Sequence, residues 1–121
     1  MPHDLVIVGG GLAGSSLALV IARQGASVLV LEREERFRDR IRGEAVHVWG
    51  TVEARAVGVY DPLRERGAHE LDAITIYENG AEVSSRDLVA TTPARGKELT
   101  FYHPEMQVTL LDCARMAGAD V

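Results

Sequence analysis

The chain has one cysteine, Cys113, among its 121 residues. A disulfide framework within it is excluded, and a reducing cytoplasm is the compartment that fits. No apolar run approaches membrane-spanning length. Val28 to Leu31 is short and leads straight into the charged segment Glu32 to Arg36, so no membrane partner is expected. Positive charge is scarce: 13 Lys and Arg face 18 Asp and Glu, for a net charge of −5. That balance argues against a nucleic-acid partner. Met1 to Asp4 has no basic n-region and no cleavage site, so no secretory signal is read. His3, His47, His69 and His103 are scattered and no Cys-x-x-Cys occurs, so no metal is expected. Walker A and G-x-S-x-G sequences are missing, as are internal repeats and low-complexity segments.

What is present is concentrated between Asp4 and Arg33. Leu5 to Val8 is a short apolar run that reads as a strand buried on both faces, as in a parallel sheet. Gly9, Gly11 and Gly14 then form G-x-G-x-x-G. A helical pattern follows from Leu12 to Arg23, with Gly25 as its stop, and Ser27 to Leu31 is a second strand ending on Glu32. Each part has a physical role in binding a dinucleotide. Gly9 allows the tight turn, Gly11 lets a pyrophosphate approach the backbone, and Gly14 lets the helix lie close on the sheet. The N–H groups opening the helix, from Leu12 and Ala13 onward, face the phosphates. Gly14, Ala18 and Ala22 form a small-residue ridge at i, i+4 and i+8. Glu32 can accept hydrogen bonds from ribose hydroxyls and would repel a 2′-phosphate. The ligand expected here is FAD or NAD, not NADP.

Further along, Glu34 to Arg40 reads as a solvated loop anchored by Phe37. A helix is expected from about Ala45 to Val57, with Val46, Trp49, Val52 and Ala56 inward and Gly50 marking a close approach. Trp49 reads as core. Gly58 closes this helix, and Asp61-Pro62 caps a one-turn helix over Leu63 to Arg66 that Gly67 stops. Leu71 to Tyr77 and Ala81 to Leu88 read as strands joined by an Asn79-Gly80 hairpin, with Val83 inward. Thr91 to Gly96 should be loop and Leu99 to Tyr102 a strand. A last helix starts at Pro104 and runs to about Ala117, with Met106, Leu110, Cys113, Ala114 and Ala117 on its buried face. Cys113 reads as a small core residue. A new strand starts after Gly118.

Several residues carry two readings. Ser15 and Ser16 are serines of a helix start, or a nucleophile with no evident base. Arg33 lies over the adenine or ribose, or is simply exposed. Arg42 reaches a phosphate bidentately, or is an exposed loop arginine.

The Leu5–Arg33 stretch resembles the FAD-dependent monooxygenase superfamily, which includes para-hydroxybenzoate hydroxylase and other aromatic-ring hydroxylases. The resemblance rests on Gly9-Gly10-Gly11, Gly14 to Ala18, Arg23-Gln24-Gly25, Val28 and Glu32-Arg33. Asp39 to Gly43 is similar to the family segment whose arginine, here Arg42, reaches the FAD near its pyrophosphate. Leu99 to Leu111, followed by Ala114 and Gly118-Ala119, is similar to its later strand–helix pattern. There a Gln or Arg contacts the flavin, and both His103 and Gln107 align to that position.

The resemblance implies an α/β Rossmann-like FAD/NAD(P)-binding fold, with a parallel sheet and helices, plus the start of a β-rich substrate-side region. Residues 1–70 would be the FAD-binding βαβ portion, 71–103 the substrate-side start, and 104–121 a helix returning to the first. It implies an oxidoreductase that binds FAD, takes electrons from NAD(P)H and uses O₂ to hydroxylate a small organic substrate, aromatic rings included. Cofactor-binding positions would be Gly9, Gly11, Leu12, Ala13, Gly14, Glu32, Arg33, Arg42, His103 and Gln107, with no catalytic residue. A doubly wound fold needs more strands than this length holds. The sequence therefore reads as the N-terminal part of a longer protein, whose partners would be the remainder of its own chain or a self-associated copy. A flavin halogenase or isoprenoid reductase of the same fold, an NAD-dependent dehydrogenase, and a non-catalytic nucleotide-binding fragment are the competing readings.

Overall fold

The computed structural model describes residues 2–40 and 44–121. Its β-branched first run, Leu5–Val8, forms strand β1, and Val28–Leu31 forms β2. The two pair in parallel, Leu5 with Val28 through Val8 with Leu31. Helix α1, Leu12–Arg23, connects them. On the other edge of β2 the chain returns at Asp120. Its carbonyl accepts from the Val30 N–H at 2.8 Å and its own N–H donates to the Val28 carbonyl at 2.9 Å.

Alternation along these strands decides what is covered. Ile7, Val28 and Val30 share a core with Ala18 and Ala22 of α1. Leu111 and Ala114 of the last helix, α5 (His103–Met116), complete it. Val6, Val8 and Leu31 point the other way and are exposed, Val8 at 84%. The expectation of strands buried on both faces is therefore corrected for the described residues. Both packed helices lie on one face, and the pleat sends every second side chain to the other.

Helices α1 and α5 pack side by side. Their far sides build a second core, where Leu19, Met106, Leu110 and Cys113 meet Ala54, Val59, Tyr60, Leu63, Leu99 and Phe101. These partners come from α2 (Val48–Val57), α3 (Tyr60–Glu65) and β7 (Glu98–Thr100), with the residues flanking them. Strands β3 (Ala45–Val46) and β4 (His69–Leu71) flank β7 in an antiparallel sheet ordered β3-β7-β4. The α1–α5 pair is thus a middle layer between two sheets. Cys113 is a buried core thiol, pushed above its ordinary range by desolvation.

The helix expected from Ala45 starts later. Ala45 and Val46 pair with Thr100 and Leu99, and α2 begins at Val48. Its buried face is Val48, Thr51 and Ala54. Trp49 and Val52 of the expected stripe lie one residue, about 100° of helix, past Val48 and Thr51, and Ala56 lies two past Ala54. Trp49 is consequently 70% exposed and not core. Gly50 does mark a close approach, because a Cβ there would lie 2.5 Å from Val46 Cγ1. Helix α3 starts at Tyr60, with Val59 rather than Asp61 in the capping position.

The strand expected over Leu71 to Tyr77 is two. β4 joins β7, while β5 (Ala73–Glu78) pairs with β6 (Ala81–Asp87) across the expected turn, with Asn79 at φ +51 and Gly80 at φ +80. Ile76 pairs with Ser84 and Tyr77 with Glu82, which leaves Val83 as the extra residue of a bulge. Val83 is exposed, against the expectation that it points inward. A further short helix, α4 (Leu88–Thr91), stands where strand end and loop were expected. Its cap is the Asp87 carboxylate, which accepts from the Ala90 N–H at 2.8 Å.

Removing a helical glycine normally gains about 1 kcal/mol. Gly50→Ala should instead lower stability by about 1–2 kcal/mol, because the added Cβ would lie 2.5 Å from Val46 Cγ1 and the Val46 side chain would have to shift. Val46→Ala combined with Gly50→Ala should recover most of the loss, read as urea-unfolding midpoints. An increase in the midpoint of the single variant would refute the contact.

Candidate dinucleotide site

The glycine turn is built by contacts at three levels. The Gly9 N–H donates to the Leu31 carbonyl at 2.8 Å, and Gly9 takes φ +103, which turns the chain off β1. A Cβ on Gly14 would lie 2.0 Å from the Gly9 carbonyl oxygen, so only glycine lets α1 leave the strand this closely. The Ser15 hydroxyl, fully buried, donates to the Gly10 carbonyl at 2.8 Å. That hydrogen bond answers the question the sequence left open: the Ser15 hydroxyl closes the turn and is not presented as a nucleophile.

The outer side of the turn is open. A Cβ added at Gly9 or Gly11 would meet nothing within 4 Å. Gly11 occupies the capping position of α1 without a side-chain cap, and the first helical turn holds no acidic residue. The N–H groups of Leu12, Ala13 and Gly14 therefore have neither an intrahelical acceptor nor a capping side chain. An anion is the chemistry that completes such an end.

Glu32 ties the turn to the end of β2. Its Oε1 accepts from the Glu34 N–H at 2.8 Å and its Oε2 from the Gly10 N–H at 2.7 Å. These donors, Glu34 first, hold the carboxyl below the ordinary glutamate range against partial burial. Each oxygen keeps acceptor capacity for a further donor. Gly10 was not singled out by the sequence pattern, yet it is fixed here. A Cβ would lie 2.9 Å from Leu111 Cδ2 and 3.1 Å from Glu32 Oε2. The only trace of this in the sequence is that Gly10 is the middle one of three consecutive glycines.

A cleft of about 500 Å³ opens beside Glu32, walled by Phe37, Pro104, Val108 and Leu111 among others. A smaller one of about 90 Å³ is lined by Glu34, Phe37, Arg38, Arg40, His103 and Gln107. His103 and Gln107 thus share a cleft with the loop that leads toward position 42. Arg42 itself lies outside the described residues. Arg33 is exposed and reaches Glu34 Oε1 at 3.3 Å, the same oxygen that Arg40 holds at 2.9 Å. Arg40 and then Arg33 keep the Glu34 carboxyl below its ordinary range. Among the described residues no group of His, Cys, Asp and Glu could hold a metal ion, and no helix is long and apolar enough to cross a membrane.

The profile of a family described as FAD binding domain matches residues 3–121. The 6-methylpretetramide 4-monooxygenase of Streptomyces rimosus is 38% identical over 84 residues, which are 69% of this chain and 20% of that protein. The squalene monooxygenase of Rattus norvegicus is 30% identical over 113 residues, 92% of this chain and 20% of that protein. Among solved structures, p-nitrophenol 4-monooxygenase PnpA from Pseudomonas putida DLL-E4 superposes with a TM-score of 0.83 at 23% identity, covering 98% of this chain and 31% of that one. The chain therefore has the fold of these proteins, and spans about a fifth of the length of the two relatives.

The lowered Glu32 carboxyl has a consequence for stability. A depressed folded-state value stabilises the fold fully above the ordinary glutamate value of 4.5, and this part is lost as pH falls below it. The stability gap between the native chain and Glu32→Gln should accordingly be constant near neutral pH and shrink below about pH 4.5. Denaturant unfolding of both across that range measures it. A gap that widens on acidification would contradict the two backbone donors.

Proposed function

Because the chain belongs to the FAD binding domain family, we propose that it is the cofactor-holding part of a flavin-dependent monooxygenase. Such an enzyme would use NAD(P)H and O₂ to oxygenate a small organic substrate in the cytoplasm. The observation that carries this reading is the open backbone of the glycine turn beside the Glu32 carboxylate. An anion acceptor and a hydroxyl acceptor stand there side by side, as a pyrophosphate and its ribose require.

FAD supplies the electron transfer and oxygen activation; the protein supplies binding and orientation. In this assignment Gly9 and Gly11 clear the approach to the backbone. The N–H groups of Leu12, Ala13 and Gly14 bind the pyrophosphate, and Gly14 holds the helix close. Glu32 accepts from the ribose, and Arg33 borders the adenosine end. Arg42 binds a phosphate or the flavin edge, and His103 and Gln107 face the flavin. Residues 1–70 carry the βαβ portion, 71–103 begin the substrate-side region, and 104–121 return to the cofactor domain. Val6, Val8 and Leu31 form an apolar sheet face that further parts of the same polypeptide, or a second copy, would cover. The single cysteine, buried as Cys113, is compatible with a reducing compartment.

Gly11→Val should abolish FAD retention by the full-length protein while leaving its fold, because two methyl groups would fill the open approach. Glu32→Ala should weaken FAD binding by about 1–3 kcal/mol, since a ribose donor loses its acceptor. Absorbance of the bound flavin and equilibrium dialysis measure both. A Gly11→Val protein that purifies with stoichiometric FAD would overturn the phosphate assignment. For the activity, O₂ consumption driven by NADH or NADPH should rise with substrate and yield an oxygenated product; a halide-dependent product would favour a halogenase.

A further inference from the structure

Asn79 is the chain's one asparagine, and Gly80 follows it. Together they are the tip of the β5–β6 ribbon, where Glu78 pairs with Ala81 across two residues. Asn79 at φ +51 and Gly80 at φ +80 have the two positive angles of a type I′ turn. Every residue from Ala73 to Asp87 is exposed, and a Cβ on Gly80 would meet nothing within 4 Å. Among the described residues no hydrogen bond engages the Asn79 amide or the Gly80 N–H. Packing therefore gives the side-chain amide no role here, and leaves it beside a backbone nitrogen with no side chain in the way.

That nitrogen can attack the amide carbon. Attack closes a five-membered ring through Cγ, Cβ, Cα and C of Asn79 and N of Gly80. The ring is nearly planar, so the Gly80 nitrogen must eclipse Cβ about the Cα–C bond. In a type I′ turn ψ of the first residue is about +30°, which puts the nitrogen on the far side from Cβ. In a type II′ turn ψ is about −120°, which brings the nitrogen into line with Cβ. The first residue keeps a positive φ in both, and glycine accepts either sign at the second. A flip of the one peptide unit between Asn79 and Gly80 separates the two turns. Both fit the twist of a two-stranded ribbon. The strands that hold this turn therefore do not hold it in its unreactive form.

We propose that the ribbon tip is a self-modification site, where Asn79 deamidates through a cyclic imide closed by the Gly80 nitrogen. The nitrogen gives up its hydrogen to solvent and bonds to Asn79 Cγ. The Cγ–Nδ2 bond breaks, and the amide nitrogen takes up a proton and leaves as ammonia. Water then opens the ring. Opening at Cγ restores the ordinary backbone with an aspartate. Opening at the main-chain carbonyl carries the chain through the side chain, as isoaspartate. Water is the only co-reactant, and no oxidant or reductant takes part. Either product adds a carboxylate to a tip that already holds Glu78 and Glu82. Isoaspartate also adds a methylene to a two-residue turn whose length sets the register, so the Glu78–Ala81 pairing loosens. The inference rests on the ribbon alone and is independent of the monooxygenase reading.

The test incubates the full-length, FAD-loaded protein near neutral pH beside a synthetic peptide of residues 67–86. Trypsin cuts after Arg66 and Arg86, and the segment between them holds no second amide side chain, so it reports position 79 alone. In the protein that segment should gain the mass difference between an amide and an acid. Part of it should accept a methyl group from an isoaspartyl methyltransferase. The rate should be about tenfold to a hundredfold below that of the free peptide, as for a reaction through a minor conformer. Asn79→Gly keeps a favoured turn pair and should show neither signal. Hydrogen exchange at Glu78 and Ala81 should quicken in the aged native protein and not in the aged variant. A mass gain confined to the free peptide, with the protein unchanged over the same period, would overturn the proposal. So would a rate in the protein that rises in step with the unfolded fraction in low denaturant, since the folded turn would then be inert.

Discussion

The distance at which α1 leaves β1 is set by a hydrogen atom. Any Cβ on Gly14 would press into the Gly9 carbonyl oxygen, and the helix would have to tilt or slide away. With glycine there, Ala18 and Ala22 come down onto Val28 and Val30, and α5 can lie alongside with Leu111 and Ala114. The second core follows from the first, because Leu19 on the far side of α1 is one wall of it. The same close start aims the uncapped helix end at the open side of the turn, where Glu32 waits at the end of β2. Fold and site therefore share one steric requirement.

A second constraint holds the outer layer in place. Tyr60 donates its hydroxyl to Glu70 Oε1 under the Arg55 guanidinium, which lies 3.4 Å above the ring, and Lys97 approaches the other Glu70 oxygen at 3.5 Å. The tyrosine hydroxyl holds the Glu70 carboxyl below its ordinary range, while burial and then that carboxylate push the Tyr60 phenol up. Helices α2 and α3 are joined to β4 by this cluster, and β4 is joined to β7 by the sheet.

What the residues disclosed in advance was what neighbouring residues determine. The strand, glycine turn, helix and terminal Glu32 all lie within about thirty positions, and the Asn79-Gly80 turn needs only its own backbone angles. The long last helix was legible for the same reason. What stayed hidden depends on distant partners. Ala45 and Val46 are a strand because Thr100 and Leu99 lie beside them, and that pairing shifts the phase of α2 and turns Trp49 outward. Val83 points to solvent because a bulge intervenes. Gly10 is fixed by Glu32 and by Leu111, and the Leu111 contact is one that no local motif can announce. Ser15 carries two readings in the sequence because the acceptor of its buried hydroxyl, the Gly10 carbonyl, lies on the turn that the fold brings over it.

The pairing of β2 with Asp120 bears on how the chain is made. One edge of β2 is satisfied early, by β1, across a short helical crossover. The other waits for Asp120, at the far end of the described residues, whose carbonyl takes the Val30 N–H. During synthesis the first βαβ unit would emerge from the ribosome with that edge unpaired, and without α5 to cover its helix. An apolar strand with an open edge is the kind of intermediate that associates wrongly. The delay between these two pairings is the time for which the second edge of β2 stays open on a nascent chain.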